Sequence, residues 1–272
     1  MARALISLDL DGTLLKHGVF LPEAPHFLEL LRAAGHLLIV NTGRLPAGFA
    51  LEAARRINDE SLHIFSDGTL LADPGGRIWK QRTISPDAVI KILDVIAENN
   101  IMVEFHSALG IRYHFNKNPP KDRNEHVAAT GTPSFPIDLA AIRGLPLVGS
   151  WLLGVPDDLL GHLRKRLVEA GVRIELYGPK ESGWIVGIKP ARRHKGTGLL
   201  ELAERYGIFH ENTVMLGDGL NDLGGFKVAG MGIAVGNAPD LVQQVADHVV
   251  APADEGGLLE AVEMILKTYG RT

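Results

Sequence analysis

Apolar and polar positions alternate in blocks along this chain, and the blocks predict strands and helices in turn. Ala4 to Leu8 is a short β-rich apolar run that ends on acidic residues and glycine. Phe27, Leu28, Leu30 and Leu31 recur at helical spacing between Pro25 and Ala34, and Gly35 follows as a stop. His36 to Val40 reads as a second strand, Ala47 to Ile57 as a helix, and Leu62 to Phe65 as a third strand. The last third repeats the pattern. It has an amphipathic Lys195–Tyr206 segment, a Val214–Leu216 strand, a helix over Asp222–Ala229, a Gly232–Val235 strand, a helix over Pro239–Ala246, a short His248–Val250 strand and a closing helix over Glu255–Tyr269. Strands alternating with helices predict βαβ units and a parallel sheet.

The middle of the chain breaks this rhythm. Ser85-Pro86-Asp87 opens a helix, with serine as N-cap and proline in the first turn. Ile101–Phe105 and Ile111–Phe115 predict a hairpin. The Pro- and Gly-rich stretch 116–146 carries no clear assignment. Leu147–Val155, Val172–Tyr177 and Trp184–Ile188 read as strands, with a helix over Pro156–Ala170. The expected fold is therefore α/β: a doubly wound, Rossmann-like core with a parallel sheet, residues 1–82 and 189–272, and an inserted α+β cap, residues 83–188.

Composition narrows the chemistry. The chain has 272 residues, 46% of them hydrophobic, enough for a sizeable core. Its net charge of -4 offers no global basic field for nucleic acid or an anionic membrane. It has no cysteine, which excludes disulfides and thiolate chemistry. The N-terminal apolar run meets Asp9 too early for a signal peptide, and no run reaches the ~20 apolar residues of a membrane span. A cytoplasmic protein without an obligate protein partner is expected.

The first chemical signal is Asp9-Leu10-Asp11-Gly12-Thr13 at the end of the first strand. Side chains alternate along a strand, so Asp9 and Asp11 can share a side. Two carboxylates beside a turn are costly unless neutralised, and a hard divalent cation such as Mg²⁺ would neutralise them. The plainer alternative is a strand-end turn with solvated acids. Gly217-Asp218-Gly219-Leu220-Asn221-Asp222 follows another apolar strand and adds two carboxylates and an amide. Ligands of open α/β sheets collect at such strand ends. Thr42-Gly43-Arg44 offers a hydroxyl and free N–H groups for an anion, and Lys195 opens a predicted helix where it can reach the same crevice. Acids, anion donors and one lysine at strand ends suit phosphoryl transfer.

Taken in order, Asp9-x-Asp11-x-Thr13, Thr42-Gly43-Arg44, Lys195 and Gly217-Asp218-x-x-Asn221-Asp222 resemble the four motifs of the haloacid dehalogenase superfamily. The long insertion between the second and third motifs resembles its Cof-type subfamily, which carries a large C2 cap. The resemblance implies a Mg²⁺-dependent phosphatase of small phosphorylated metabolites. Asp9 would attack phosphorus and become a phosphoaspartate. Asp11 would protonate the leaving oxygen and then activate water. Mg²⁺ would be held by Asp9, the Asp11 carbonyl and Asp218, with Asp222 orienting a metal water. Thr42, Gly43, Lys195 and Asn221 would hold the phosphate. A large cap favours small substrates, and it would close over the site to exclude water. Alternatives on the same motifs are a narrow sugar-phosphate phosphatase resembling mannosyl-3-phosphoglycerate phosphatase, a phosphomutase, and a non-catalytic sensor of phosphometabolites.

Three departures from the family pattern stand out. Gly224-Gly225 replaces a usual Met-Leu pair and weakens the expected helix by roughly 1 kcal/mol per glycine. Asp67-Gly68-Thr69 stands where Asn-Gly-Ala is usual; since Phe65 occupies the nucleophile position of this echo of Asp11-Gly12-Thr13, it reads as a turn. Arg192-Arg193-His194 makes the approach to Lys195 unusually basic. In the insertion, His106, Arg112, His114 and Trp184 are candidates for lining a substrate pocket, with packing inside the cap as the plainer reading.

Overall fold

The computed structural model describes residues 3–99, 101–115 and 133–270. They divide into two compact units. The first comprises Met1–Arg44, Ala50–Trp79 and His194–Thr272, and the second comprises Leu45–Phe49 and Lys80–Arg193.

The first unit is built on a five-stranded sheet in the order His248–Val249, Met231–Ala234, Thr213–Gly217, Leu5–Leu8, Leu37–Val40. Every neighbouring pair in it is parallel. Its three central strands and the Leu37–Val40 strand are buried at every position, which demands cover on both faces. On one face Leu5, Ile39 and Met215 share a core with Leu199 and Leu202 of the Lys195–Arg205 helix. Helices Ala24–Ala33 and Leu258–Tyr269 pack on each other and close the unit. The order places the first strand between Thr213–Gly217 and Leu37–Val40, so the three motif-bearing strand ends are neighbours.

The second unit is a six-stranded, mostly antiparallel sheet in the order Ser134–Pro136, Arg112–Phe115, Met102–Ser107, Leu147–Val155, Gly183–Pro190, Val172–Lys180. The expected hairpin is present, with Phe105 opposite Tyr113. Helices Pro86–Asn99 and Asp157–Glu169 supply Ile92, Ile96, Leu163 and Leu167 to a core shared with Val103, Phe105, Leu152 and Ile188. Of the unassigned stretch 116–146, residues 116–132 lie outside the described residues; the rest forms the Ser134–Pro136 strand and a short Leu139–Ile142 helix.

Two helices are shorter than the pattern predicts. The Asp222–Ala229 segment is a 3₁₀ turn over Leu220–Asp222 and one helical turn over Leu223–Phe226. The two glycines that limit it make close packing possible. A β carbon on Gly224 would stand 2.4 Å from the His194 imidazole, and one on Gly225 would stand 2.9 Å from the Met215 side chain. The Pro239–Ala246 segment is helical only over Asp240–Gln243. Among the described residues no helix is long and apolar enough to cross a membrane.

Candidate active site

The first strand delivers Asp9 to the sheet's C-terminal edge, where its backbone N–H donates to the Leu216 carbonyl at 2.9 Å. The neighbouring strand ends in Gly217, and the following turn folds back on itself. The Asp218 and Gly219 N–H groups both donate to Asp222 Oδ2, at 3.0 and 2.8 Å. This turn brings Asp222 under the same edge. Carboxylate oxygens of Asp9, Asp218 and Asp222 lie within 4.8 Å of one another, and all three residues belong to the first unit.

Lys195, the first residue of its helix, is fully buried and reaches into this cluster. Its Nζ donates to Asp9 Oδ1 at 2.5 Å and to Asp222 Oδ1 at 2.6 Å. Burial by itself pulls the Lys195 pKa down, but Asp222, Asp9 and Asp67 outweigh it and hold the lysine protonated. The acids feel the opposite imbalance. Burial first, then the charges of Asp222 and Asp218, raise Asp9 well above the usual carboxylate range despite Lys195. Burial and Asp222 likewise raise Asp218. One lysine thus leaves excess negative charge on a set of hard oxygen donors. That donor set suits Mg²⁺, which prefers carboxylate oxygen and retains water.

Gly12 is the residue the site tolerates least changed. Its φ is +83°, and a β carbon there would stand 2.1 Å from Asp218 Oδ2. Thr13 Oγ1 donates to Asp218 Oδ1 at 3.0 Å, and Asn237 Nδ2 donates to the Gly12 carbonyl at 2.8 Å. The loop after Asp9 is therefore clamped to both of its neighbours.

Asp11 stands apart from the carboxylate trio. Its side chain is about half exposed and takes a two-point bond from Arg44, with Nε to Oδ2 and Nη2 to Oδ1 both at 2.7 Å. That bond raises the Arg44 pKa and makes the guanidinium a fixed cation at the strand ends. Thr42 is buried, and its Oγ1 accepts from the Arg44 N–H at 3.2 Å. Gly43 faces Asn221 and Asp67: a β carbon on it would stand 3.5 Å from Asn221 Nδ2 and 3.0 Å from Asp67 Oδ1.

The structure thus brings together Asp9, Asp218, Asp222 and Lys195, and beside Gly43 it brings together Asn221 and Asp67. The sequence reads Asp67 as a turn residue, and the structure buries it beside Asn221. Nothing along the chain ties the Ser66-Asp67-Gly68-Thr69 link to Asn221. Arg192 is exposed, in the second unit. Arg112 is buried in an ion pair with Glu104, and the Trp184 indole N–H donates to Asp157. Both make packing contacts within the second unit. His106 lies 6.2 Å from the Trp151 ring on the same sheet.

Comparison with known proteins gives the family and the fold. A family model described as haloacid dehalogenase-like hydrolase matches residues 6–262. The chain is 27% identical to a 5-amino-6-(5-phospho-D-ribitylamino)uracil phosphatase of Bacillus subtilis, covering 97% of each chain. It is 29% identical to a pyridoxal phosphate phosphatase of Escherichia coli, covering 92% of this chain and 94% of that one. A solved structure of a sugar phosphatase of HAD subclass IIB superposes with a TM-score of 0.79 at 20% identity, over 97% of this chain and 98% of that chain, and shares its fold. Motifs, parallel-sheet core and family match converge: this chain belongs to the haloacid dehalogenase-like hydrolases, of the Cof type.

Proposed function

We propose that the protein is a Mg²⁺-dependent phosphatase of small phosphorylated metabolites that works through a phosphoaspartate on Asp9. One observation carries the reading: three buried or half-buried carboxylates from two separate strand ends meet within 4.8 Å, bridged by one buried lysine. Such a cluster destabilises the fold unless a cation joins it. Asp9 and Asp218 would hold the ion, with the Asp11 carbonyl beside them. Asp222, whose oxygens already take bonds from Lys195 and from the Asp218 and Gly219 N–H groups, would orient a metal water. When bound, Mg²⁺ supplies charge neutralisation at the phosphoryl oxygens.

The chain's own residues account for the rest. Asp9 is the nucleophile, at the strand-end position that the family-like motif gives it, with Lys195 on its Oδ1. The Asp9 carboxylate displaces the alcohol from phosphorus, and the leaving oxygen takes a proton from Asp11. Water, deprotonated by Asp11, then attacks the phosphoaspartate, releasing phosphate and restoring the Asp9 carboxylate. Arg44 holds Asp11 by both oxygens, so Asp11 must leave that bond to accept or deliver its proton. Lys195, Asn221, Thr42 and the Gly43 N–H would cradle the phosphate. Residues 83–188 would serve as the cap, and the cytoplasm is the proposed location.

The relatives support this substrate class. Those named above act on a phosphorylated ribityl compound and on pyridoxal phosphate, both small organic monoesters. The test is phosphate release from p-nitrophenyl phosphate and from a panel of sugar and cofactor phosphates. Release should require Mg²⁺, stop with EDTA and fall by roughly a thousandfold or more in Asp9→Asn. Undiminished release by Asp9→Asn would refute the phosphoaspartate route.

A further inference from the structure

Asp67 sits in the link after the His63–Phe65 strand, in a backbone conformation that needs a reason. Ser66 and Asp67 are consecutive non-glycine residues with φ of 48° and 55°. Most non-glycine residues avoid that region, Asp less than others, and two in succession persist only where neighbours hold them. Here they do. The Ser66 N–H donates to the Arg44 carbonyl at 2.9 Å, and the Asp67 N–H donates to the Thr42 carbonyl at 3.1 Å. Thr69 Oγ1 donates to the Ser66 carbonyl at 2.9 Å. The strained pair is thus fastened to the loop that carries Thr42 and Gly43.

What the strain achieves is the placement of a carboxylate. Asp67 is 2% exposed, and its Oδ1 accepts from Asn221 Nδ2 at 2.9 Å. Its charge also contributes to holding Lys195 protonated. A plain turn would be served by glycine or by a solvated polar residue. Burying a carboxylate in a cluster already rich in negative charge opposes folding and is not explained by turn geometry.

We propose that Asp67 is a positioning residue of the active site, fixing the Asn221 amide beside Gly43 so that it can hold the substrate's phosphate. A primary amide has two N–H donors. With one committed to Asp67, the amide plane is set and the second N–H is left for a phosphate oxygen. The inference rests on the phosphatase reading and adds to it a residue at which this chain departs from the usual family pattern.

Two substitutions test it, each measured for thermal midpoint and for kcat and KM on p-nitrophenyl phosphate with Mg²⁺. Asp67→Gly removes the carboxylate and relieves the strain, because glycine enters positive φ freely. Its midpoint should match or exceed that of the wild type while kcat/KM falls roughly tenfold or more. Asp67→Asn keeps a side-chain carbonyl that can accept the same bond, so it should recover most of the lost turnover, to within about threefold of wild type. In Asp67→Gly, a further Asn221→Ala should cost much less than it does in the wild type. Should the glycine variant lose its cooperative melt, Asp67→Ser, too short to reach Asn221, takes its place in the same comparison. The proposal is overturned if Asp67→Gly stays within about twofold of wild type, if Asp67→Asn is as impaired as Asp67→Gly, or if the two losses simply add. The phosphatase reading fails separately, if the wild type releases no phosphate or if Asp9→Asn keeps releasing it.

Discussion

His63 ties the third strand to the strand that carries the Thr42 loop, and its titration makes the fold acid-sensitive in a calculable way. The ring is buried; the Val40 N–H donates to Nδ1 at 2.9 Å, and Nε2 lies 2.8 Å from the Asn58 carbonyl. The first bond requires a lone pair on Nδ1, so the folded state needs the neutral ring with its proton on Nε2. Burial, only partly offset by the Asn58 bond, lowers the His63 pKa from 6.5 to about 4. In the unfolded chain the ring protonates near 6.5, so this contribution is complete above that pH and is lost as pH falls towards 4. The full difference amounts to roughly 3 kcal/mol, of which roughly 2.5 is gone at about pH 4.5. Asp9 and Asp218 oppose it: their raised pKa values make the metal-free fold bind protons more tightly than the unfolded chain, which stabilises it as pH falls. A variant comparison removes that background. Urea melts of wild type and His63→Gln in EDTA, at about pH 7.5 and about pH 4.5, should show wild type losing roughly 2.5 kcal/mol more than the variant. Parallel loss in both proteins would refute the buried neutral histidine.

Other consequences follow from the same contacts. Gly12→Ala forces a β carbon onto the Asp218 carboxylate and strains a φ of +83°. It should cost roughly 1–3 kcal/mol and abolish the rise in melting temperature that Mg²⁺ gives the wild type, as read by thermal melts with and without the ion. Lys195→Met strips the buried acids of their cation. It should destabilise the protein by roughly 3–5 kcal/mol in EDTA near neutral pH, and the deficit should narrow as acid protonates Asp9, as measured by denaturant melts across pH. Glu104→Ala removes the carboxylate of the buried Glu104–Arg112 ion pair and should cost roughly 1.5–3 kcal/mol in the same melts, the worth of a charge-assisted hydrogen bond.

Much of this protein was legible in its sequence because local rules apply to it locally. Buried parallel strands read as unbroken apolar runs, as in Leu5–Leu8 and Val214–Leu216, and helices show as apolar residues at three- and four-residue spacing. Strand-end placement of Asp9, Thr42 and Asp218 followed from where those runs stop. The limits of the short helices were harder to read, because they depend on what glycine packs against. Gly224 shortens its helix to make room for the His194 side chain, thirty residues earlier in the chain.

What only the tertiary structure decided is which charges share a volume. The sequence supplies Asp11 and Arg44 thirty-three positions apart without stating that they bind each other by both oxygens. It equally hides that Asp67 and Asn221, 154 positions apart, share a hydrogen bond. Coulomb forces and hydrogen bonds act over a few ångströms of space, whatever the separation along the chain. Order in the sheet, with the first strand laid between two others from opposite ends of the sequence, sets that spacing, and so it decides which acid is left exposed and which is buried beside lysine.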